Sequence, residues 1–326
     1  MQFRRALLWR IVQVLLALAI VAAVAWHFSR ILKQPELWSK NLRLHWGWLL
    51  LSALLYTIGL VFWGGFWWRL VRLYGDSLSG IGAARAYAAS HLGKYVPGKA
   101  VAVIVRVALA RSDGARAGIS VLTAVYETLT TMAAGALIAA GLVPFLRTND
   151  ANLGWKALGL LAIAGVPILP GIFNWLAKRA ARPFMPADAA PLPPIRIKTL
   201  LTGVVQTGVG WLFLGASLFA LMQALPATAF PLTARSLLVC IAYMAMSYVA
   251  GFLAVFTPGG LGVREAVLQQ LLMAELASHA EDEAAALAVL AVLLLRLVWL
   301  VCEIVLVAIT FAGYRILRVK TNTNTQ

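Results

Sequence analysis

The chain has 326 residues, 62% of them hydrophobic and only 12% charged. A soluble domain of this length carries charge on roughly a quarter of its residues, so the composition excludes one and points to an integral membrane protein. The formal charge of +16 would suit nucleic acid, but Lys and Arg fall in loops between apolar runs, where membrane topology and anionic lipid account for them. Cys240 and Cys302 both lie inside apolar runs, and the four histidines show no ligand spacing. No metal site, cofactor or catalytic motif is expected from these residues.

In chain order, residues 1–28 place Arg4, Arg5 and Arg10 before an apolar run. That run is longer than a signal peptide's core and predicts a retained first helix. A loop over 29–45 leads to a second helix over 46–70, in which Gly59, Gly64 and Gly65 offer close helix contact. Residues 80–111 are irregular: a moderately apolar arm ends at Gly93-Lys94-Tyr95-Val96-Pro97-Gly98-Lys99, and a second arm resumes at Ala100 with Arg106 inside it. Each arm is too short for a ~30 Å hydrocarbon core, so a re-entrant pair of half-helices is predicted. The other reading is an amphipathic hairpin lying on the membrane surface.

A third span covers 119–146 and carries Glu127. A fourth, 155–176, is kinked by Pro167 and Pro170. The basic, Pro-rich stretch 177–198 joins two halves of one membrane domain, 1–176 and 199–320. The fifth span, 199–225, has Gly203, Gly208, Gly210 and Gly215 for tight packing, and the sixth covers 236–255. It runs into Phe256-Thr257-Pro258-Gly259-Gly260-Leu261-Gly262-Val263-Arg264-Glu265. A breaker of this kind frees backbone groups that lipid cannot satisfy, so they must face protein or a water-filled cavity. A short helix over 266–277 and a last span over 284–312, with Arg296 and Glu303 near its middle, complete the domain. Residues 321–326 are expected to form a disordered tail. The predicted fold is an all-α polytopic bundle of about eight crossings, with inverted-repeat-like halves and two broken segments. Two Gly/Pro-interrupted segments in corresponding halves are the sequence pointer to a transporter's binding site.

With both termini inside, twenty Lys and Arg fall in inner segments, seven in outer ones, and Arg296 stays within the membrane. This asymmetry favours cytoplasmic N- and C-termini in the cytoplasmic membrane. An ionised side chain at the bilayer centre costs about 2.5–3.5 kcal/mol on insertion scales, so Glu127, Arg296 and Glu303 each need a partner or a polar cavity. Arg296 and Glu303 are two turns apart, ~10 Å, too far to pair directly. A polar cluster of Glu127, Glu303, Arg264 and Arg106 is predicted. Glu265 suits the helix N-terminus that follows the Gly-rich turn, whereas Arg264 opposes its dipole and, with backbone N–H groups, suits a phosphate. Lys94 and Lys99 either recruit the same anion or meet the anionic leaflet. The tryptophans, among them Trp46, Trp48, Trp67, Trp68, Trp155 and Trp175, are expected in the interfacial belt.

The stretch Pro258-Gly259-Gly260-Leu261-Gly262-Val263-Arg264-Glu265 resembles the Pro-Gly-Gly-x-Gly-x-Arg-Glu motif of the lysylphosphatidylglycerol synthase transmembrane family. That family comprises the lipid-flipping membrane domain of multiple-peptide-resistance factors and stand-alone relatives. Tyr95-Val96-Pro97-Gly98-Lys99 with Arg106 resembles the family's first-half Leu-Pro-Gly signature, Glu127 its third-span acid, and Arg296 the Arg of its final span. The family often follows that acid with Arg and then Asp; Thr128 and Thr131 stand there in this chain, so the resemblance carries no ion pair at those positions. The chain ends at Gln326 without the synthases' soluble transferase domain, so lipid translocation is implied and aminoacylation is not. The resemblance implies a flippase rather than an enzyme, acting on an anionic phospholipid or a lipid-linked polyprenyl precursor. The substrate-binding set is then Lys94, Pro97, Gly98, Lys99, Arg106, Glu127, Pro258, Gly259, Gly260, Gly262, Arg264, Glu265, Arg296 and Glu303. A homodimer or a partner biosynthetic enzyme is compatible with it. The alternatives are an accessory subunit of glycan or hopanoid assembly, an integral-membrane head-group transferase, and a small-solute channel.

Overall fold

The computed structural model describes residues 44–95, 100–146, 152–181, 194–225, 230–253, 262–277 and 284–323. The described residues form helices and connecting turns, with no strand among them. The predicted first helix, Pro97, Gly98, Lys99, Pro258, Gly259 and Gly260 lie outside the described residues, as do most of the 177–198 connection and residues 324–326. Residues 321–323, expected in the disordered tail, instead continue the last helix, whose backbone hydrogen bonds carry on to Thr323.

Helix α1 (Trp46–Leu73) is followed by two short helices, α2 (Gly80–Leu92) and α3 (Ala100–Arg111). Helix α4 (Ala117–Leu142) is a full span. Helices α5 (Leu153–Gly165) and α6 (Pro170–Ala181) meet at a 60° bend, where Pro167 and Pro170 interrupt the backbone hydrogen bonds. The second half consists of α7 (Ile197–Ala224), α8 (Ala234–Leu253), α9 (Val263–Ala277) and α10 (Ala284–Thr323). Five described helices are long and apolar enough to cross a bilayer, or six if the bent α5–α6 pair counts as one span. Their outward faces are as apolar as the interior: Leu50, Val61, Leu201, Val205 and Ile309 are each more than half exposed. Only lipid makes such a surface tolerable.

Helices α1 and α7 form the central antiparallel pair. His45 N donates to Ala224 O at one end, Ser52 and Ser217 bond midway, and Trp63 Nε1 donates to Thr207 O beyond. Glycine is what lets them approach: a Cβ on Gly59 would lie 2.3 Å from Leu214 Cδ1, and one on Gly210 would lie 2.2 Å from Trp63 Nε1. Gly203 and Gly215 are as tightly enclosed, against Phe66 and Ile241, whereas Gly208 has only Ile138 at 3.9 Å. Of the four glycines singled out in the fifth span, three are therefore close contacts and one is not.

The order of long helix, helix pair, long helix occurs twice, as α1, α2/α3, α4 and as α7, α8/α9, α10, although α8, unlike α2 and α3, is itself long enough to cross. Because α1 and α7 are antiparallel, the two runs point in opposite senses. Asp76 accepts from the Arg116 main-chain and side-chain nitrogens at 2.8 and 2.7 Å, joining the end of α1 to the start of α4. On the same side, Arg85 of α2 bridges to Asp113, which also accepts from the Tyr314 hydroxyl of α10. At the opposite side Arg235 at the head of α8 meets Glu275 near the end of α9 at 2.9 Å. Helix α9, with 15 residues, is only about 22 Å long, yet it returns to the level where α8 begins.

Helix α2 is not a surface hairpin. Ala83, Arg85, Ala86, Tyr87 and Ser90 are buried, and the helix packs on α3 and α10.

Candidate functional site

The breaks between α2 and α3 and between α8 and α9 deliver charged side chains to the middle of the bundle. Spanning helices supply their counter-charges. On α3, Arg106 Nη1 donates to Glu127 Oε2 of α4 at 2.8 Å, and its Nε donates to Ser90 Oγ at 3.1 Å. The guanidinium lies over the rings of Tyr87, 4.4 Å from the centroid, and Trp67, 5.3 Å. Glu127 also accepts from Tyr87 Oη at 3.1 Å and Thr131 Oγ1 at 3.2 Å. Thr131 thus serves the acid directly, and the cation sits on a different helix from the acid. Glu127 is ten residues into α4, about 15 Å from its start.

Lys94 stands in the 3₁₀ turn Gly93–Tyr95 that ends the first arm. It is half-buried and turned into the bundle, its ammonium paired with Glu303 of α10. Glu303 also accepts from the hydroxyl of Tyr56 on α1, whose ring stacks on Trp299 at 4.4 Å and 9°.

The third group surrounds the start of α9. Gly262 has φ of +89°, a backbone state that glycine adopts without strain, and it turns the chain into the helix. Glu265 then reaches back, accepting from Gly262 N at 2.6 Å, which satisfies one of the unpaired donors of a helix N-terminus. Its other oxygen accepts from Arg264 Nε at 3.2 Å and from Arg296 of α10. Glu265 is therefore both a cap and a counter-ion. The Arg264 guanidinium lies 4.3 Å from the Tyr248 ring centroid and 5.6 Å from that of Trp299.

These groups meet around one cavity of about 160 Å³, lined among others by Trp63, Tyr87, Lys94, Arg106, Glu127 and Arg264. Three members of the predicted cluster, Arg106, Glu127 and Arg264, thus share a wall. Glu303 is not paired with any of them and joins the site through Lys94. Gly262 is exposed at the edge of the described residues. Four cations, Lys94, Arg106, Arg264 and Arg296, face three carboxylates, Glu127, Glu265 and Glu303, which leaves one positive charge in excess among these described residues. Among the described residues Arg264 Nη2, Arg296 Nη1, Glu303 Oε2 and His91 Nδ1 have no hydrogen-bond partner.

Sequence reasoning missed Tyr56, Tyr87, Tyr248 and Trp299, which line or support the charged groups. A signal existed: a tyrosine hydroxyl or indole in mid-span needs a polar partner. Trp67, assigned to the interfacial belt, is fully buried beneath Arg106, whereas Trp46, Trp155 and Trp175 are exposed as that belt requires.

The sequence matches the family described as lysylphosphatidylglycerol synthase TM region over residues 14–308. The chain belongs to that family. The match spans both broken segments, so the two charged breaks lie within the family's shared region. No curated protein matches the sequence. Membership of the lysylphosphatidylglycerol synthase TM family suggests a membrane lipid-related role of the flippase type, in a region generally distinct from the catalytic part of such synthases. The helices make it a multi-pass membrane protein.

Proposed function

We propose that this protein carries the anionic head group of a membrane phospholipid, or of a lipid-linked precursor, from one leaflet to the other through the central cavity. Acyl tails stay in the bilayer. One observation carries the reading: among the described residues at the two breaks, four buried or half-buried cations face three carboxylates, and a guanidinium with a spare N–H borders the cavity. A buried excess positive charge is costly without a counter-ion, and a guanidinium offers phosphate paired donors. Arg106, Lys94 and Arg264 would meet the head group, Glu127 and Glu303 would hold those cations when no head group is present, and Arg296 with Glu265 would position Arg264. Pro97, Gly98, Lys99, Pro258, Gly259 and Gly260 lie outside the described residues and belong to the proposed set by their place in the sequence, beside Gly262 at the turn into α9.

The helix ends bearing Arg69, Arg72, Arg116, Arg196, Lys198 and Arg315 lie on one side, and Arg235 lies on the other. By the positive-inside rule we assign the first side, with the C-terminus, to the cytoplasm of the cell membrane.

The test is a leaflet-resolved assay with labelled anionic and zwitterionic lipids in proteoliposomes. Wild-type protein should equilibrate the anionic lipid between leaflets, and Arg264→Gln should slow it by tenfold or more. Equal rates for the two proteins would remove the site. No leaflet exchange by folded wild-type protein with any anionic lipid would remove the transport reading and favour an accessory role.

A further inference from the structure

Arg264, Glu265 and Arg296 are packed together with two positive charges against one negative. The carboxylate is fully engaged: one oxygen takes Arg264 Nε and Arg296 Nη2, the other takes Gly262 N. Each arginine keeps one buried N–H nitrogen, Arg264 Nη2 and Arg296 Nη1, with no acceptor among the described residues. The Arg264 side chain is 7% exposed and that of Arg296 12%. All three residues line a narrow void of about 10 Å³, walled otherwise by aliphatic, methionine and indole side chains, Trp299 among them. That is room for roughly one water-sized particle.

Size and charge together define the occupant. A phosphate group, with four oxygens, is too large. Water fits, but it leaves the excess positive charge uncompensated in apolar surroundings. A monoatomic anion, only slightly larger than water, needs a small outward shift of the two flexible guanidinium side chains and neutralises that charge. Arg264 and Glu265 are also in the first turn of α9, whose N-terminal dipole adds to the attraction.

We propose that this void is a binding site for one monoatomic halide, chloride under cellular conditions, held between Arg264 and Arg296. It is separate from the larger cavity, although Arg264 borders both, and it does not depend on the lipid reading.

The test uses the purified full chain in detergent, melted in sodium chloride, bromide or gluconate at constant ionic strength. Halide should raise the melting midpoint saturably by about 2–4 °C between millimolar and 100 mM concentrations, and gluconate should not. Arg296→Gln should abolish the halide response. Glu265→Gln, which removes the competing carboxylate, should shift half-saturation to about tenfold lower chloride. That gain cannot arise from misfolding. Identical melting in chloride and gluconate would mean the void holds water only, and a half-saturation unmoved by Glu265→Gln would place the halide away from this carboxylate and overturn the assignment. A shift as large with inorganic phosphate as with chloride would place the anion in the larger cavity and overturn the assignment.

Discussion

Replacing Arg106 by Gln separates the structural from the binding role of the site's most complete ion pair. Glu127 is 3% exposed and has three donors: Arg106 at 2.8 Å, Tyr87 at 3.1 Å and Thr131 at 3.2 Å. Removing one partner of a buried pair typically costs about 3–5 kcal/mol, because a charge is left uncompensated. The two neutral donors remain, so the lower end, about 3 kcal/mol, is expected, including loss of the stacking of Arg106 on Tyr87 and Trp67. The double variant Arg106→Gln/Glu127→Gln removes both charges and should recover about 2 kcal/mol of that loss. Denaturant titration in mixed micelles measures both values, and the proteoliposome assay is run on the same samples. The double variant should be nearly as stable as wild type yet still slow in lipid movement, because the cation is gone. A single variant within about 0.5 kcal/mol of wild type would show that the pair is not an electrostatic unit. Recovery of transport together with stability would make Arg106 a structural residue and take it out of the binding set.

Three further outcomes are expected. Tyr56→Phe keeps the stack on Trp299 but deletes the hydroxyl donor to Glu303. It should cost about 1–2 kcal/mol, less than Lys94→Met, which strips the carboxylate of its cation and should cost about 3–5 kcal/mol; the reverse order in denaturant titration would show that the phenol, not the ammonium, secures Glu303. Gly215→Ala would place a Cβ 2.4 Å from Ile241 Cα, and since that backbone cannot yield cheaply it should lower stability by about 1–3 kcal/mol. Gly208→Ala, with nothing nearer than 3.9 Å, should be neutral or slightly stabilising. Finally, Lys198→Cys and Leu232→Cys should react with an impermeant maleimide from opposite sides of the membrane, inside for the first and outside for the second. The native Cys240 and Cys302 are buried and should contribute little background; labelling of both new cysteines from one side would refute the assigned topology.

Much of the architecture was legible because lipid demands long apolar helices and proline marks their interruptions. The spans predicted over 46–70, 199–225 and 236–255 appear as Trp46–Leu73, Ile197–Ala224 and Ala234–Leu253, and the kink at Pro167 and Pro170 is a 60° bend. Charged residues were legible as anomalies, since each charge in an apolar run needs an account. Their partners were not. Hydrophobic periodicity places Glu127 and Glu303 at depth but says nothing about which neighbouring helix brings a cation there. The prediction joined Glu303 to Arg264 and Arg106, whereas Lys94, carried on a three-residue 3₁₀ turn, takes that place. Mid-span aromatics signalled a polar partner, but which of them face the site was illegible for a related reason: Trp67 and Trp68 are adjacent in sequence, yet one is buried under Arg106 and the other bonds Leu78 O nearer the helix end. One residue along a helix is a 100° turn, which decides between core and interface without any change of composition.

The pairing pattern also gives α10 a role that its sequence alone does not disclose. Arg296 binds the start of the second broken segment through Glu265, and Glu303 binds the first through Lys94. The two α10 residues are seven positions apart, ~10 Å along one face, and the helix between them is continuous. A continuous helix moves as a unit, so sliding α10 by one turn would strain both ion pairs at once. Between those two contacts lies Trp299, stacked on Tyr56 and with its ring centroid 5.6 Å from Arg264's guanidinium. The two breaks, far apart in the chain, are thus held in register by a single rigid element. A substitution that weakens either pair should therefore loosen the grip of α10 on the other, making Glu265→Gln and Lys94→Met less than additive in stability. Strict additivity in a double-mutant cycle would mean the two breaks are anchored independently.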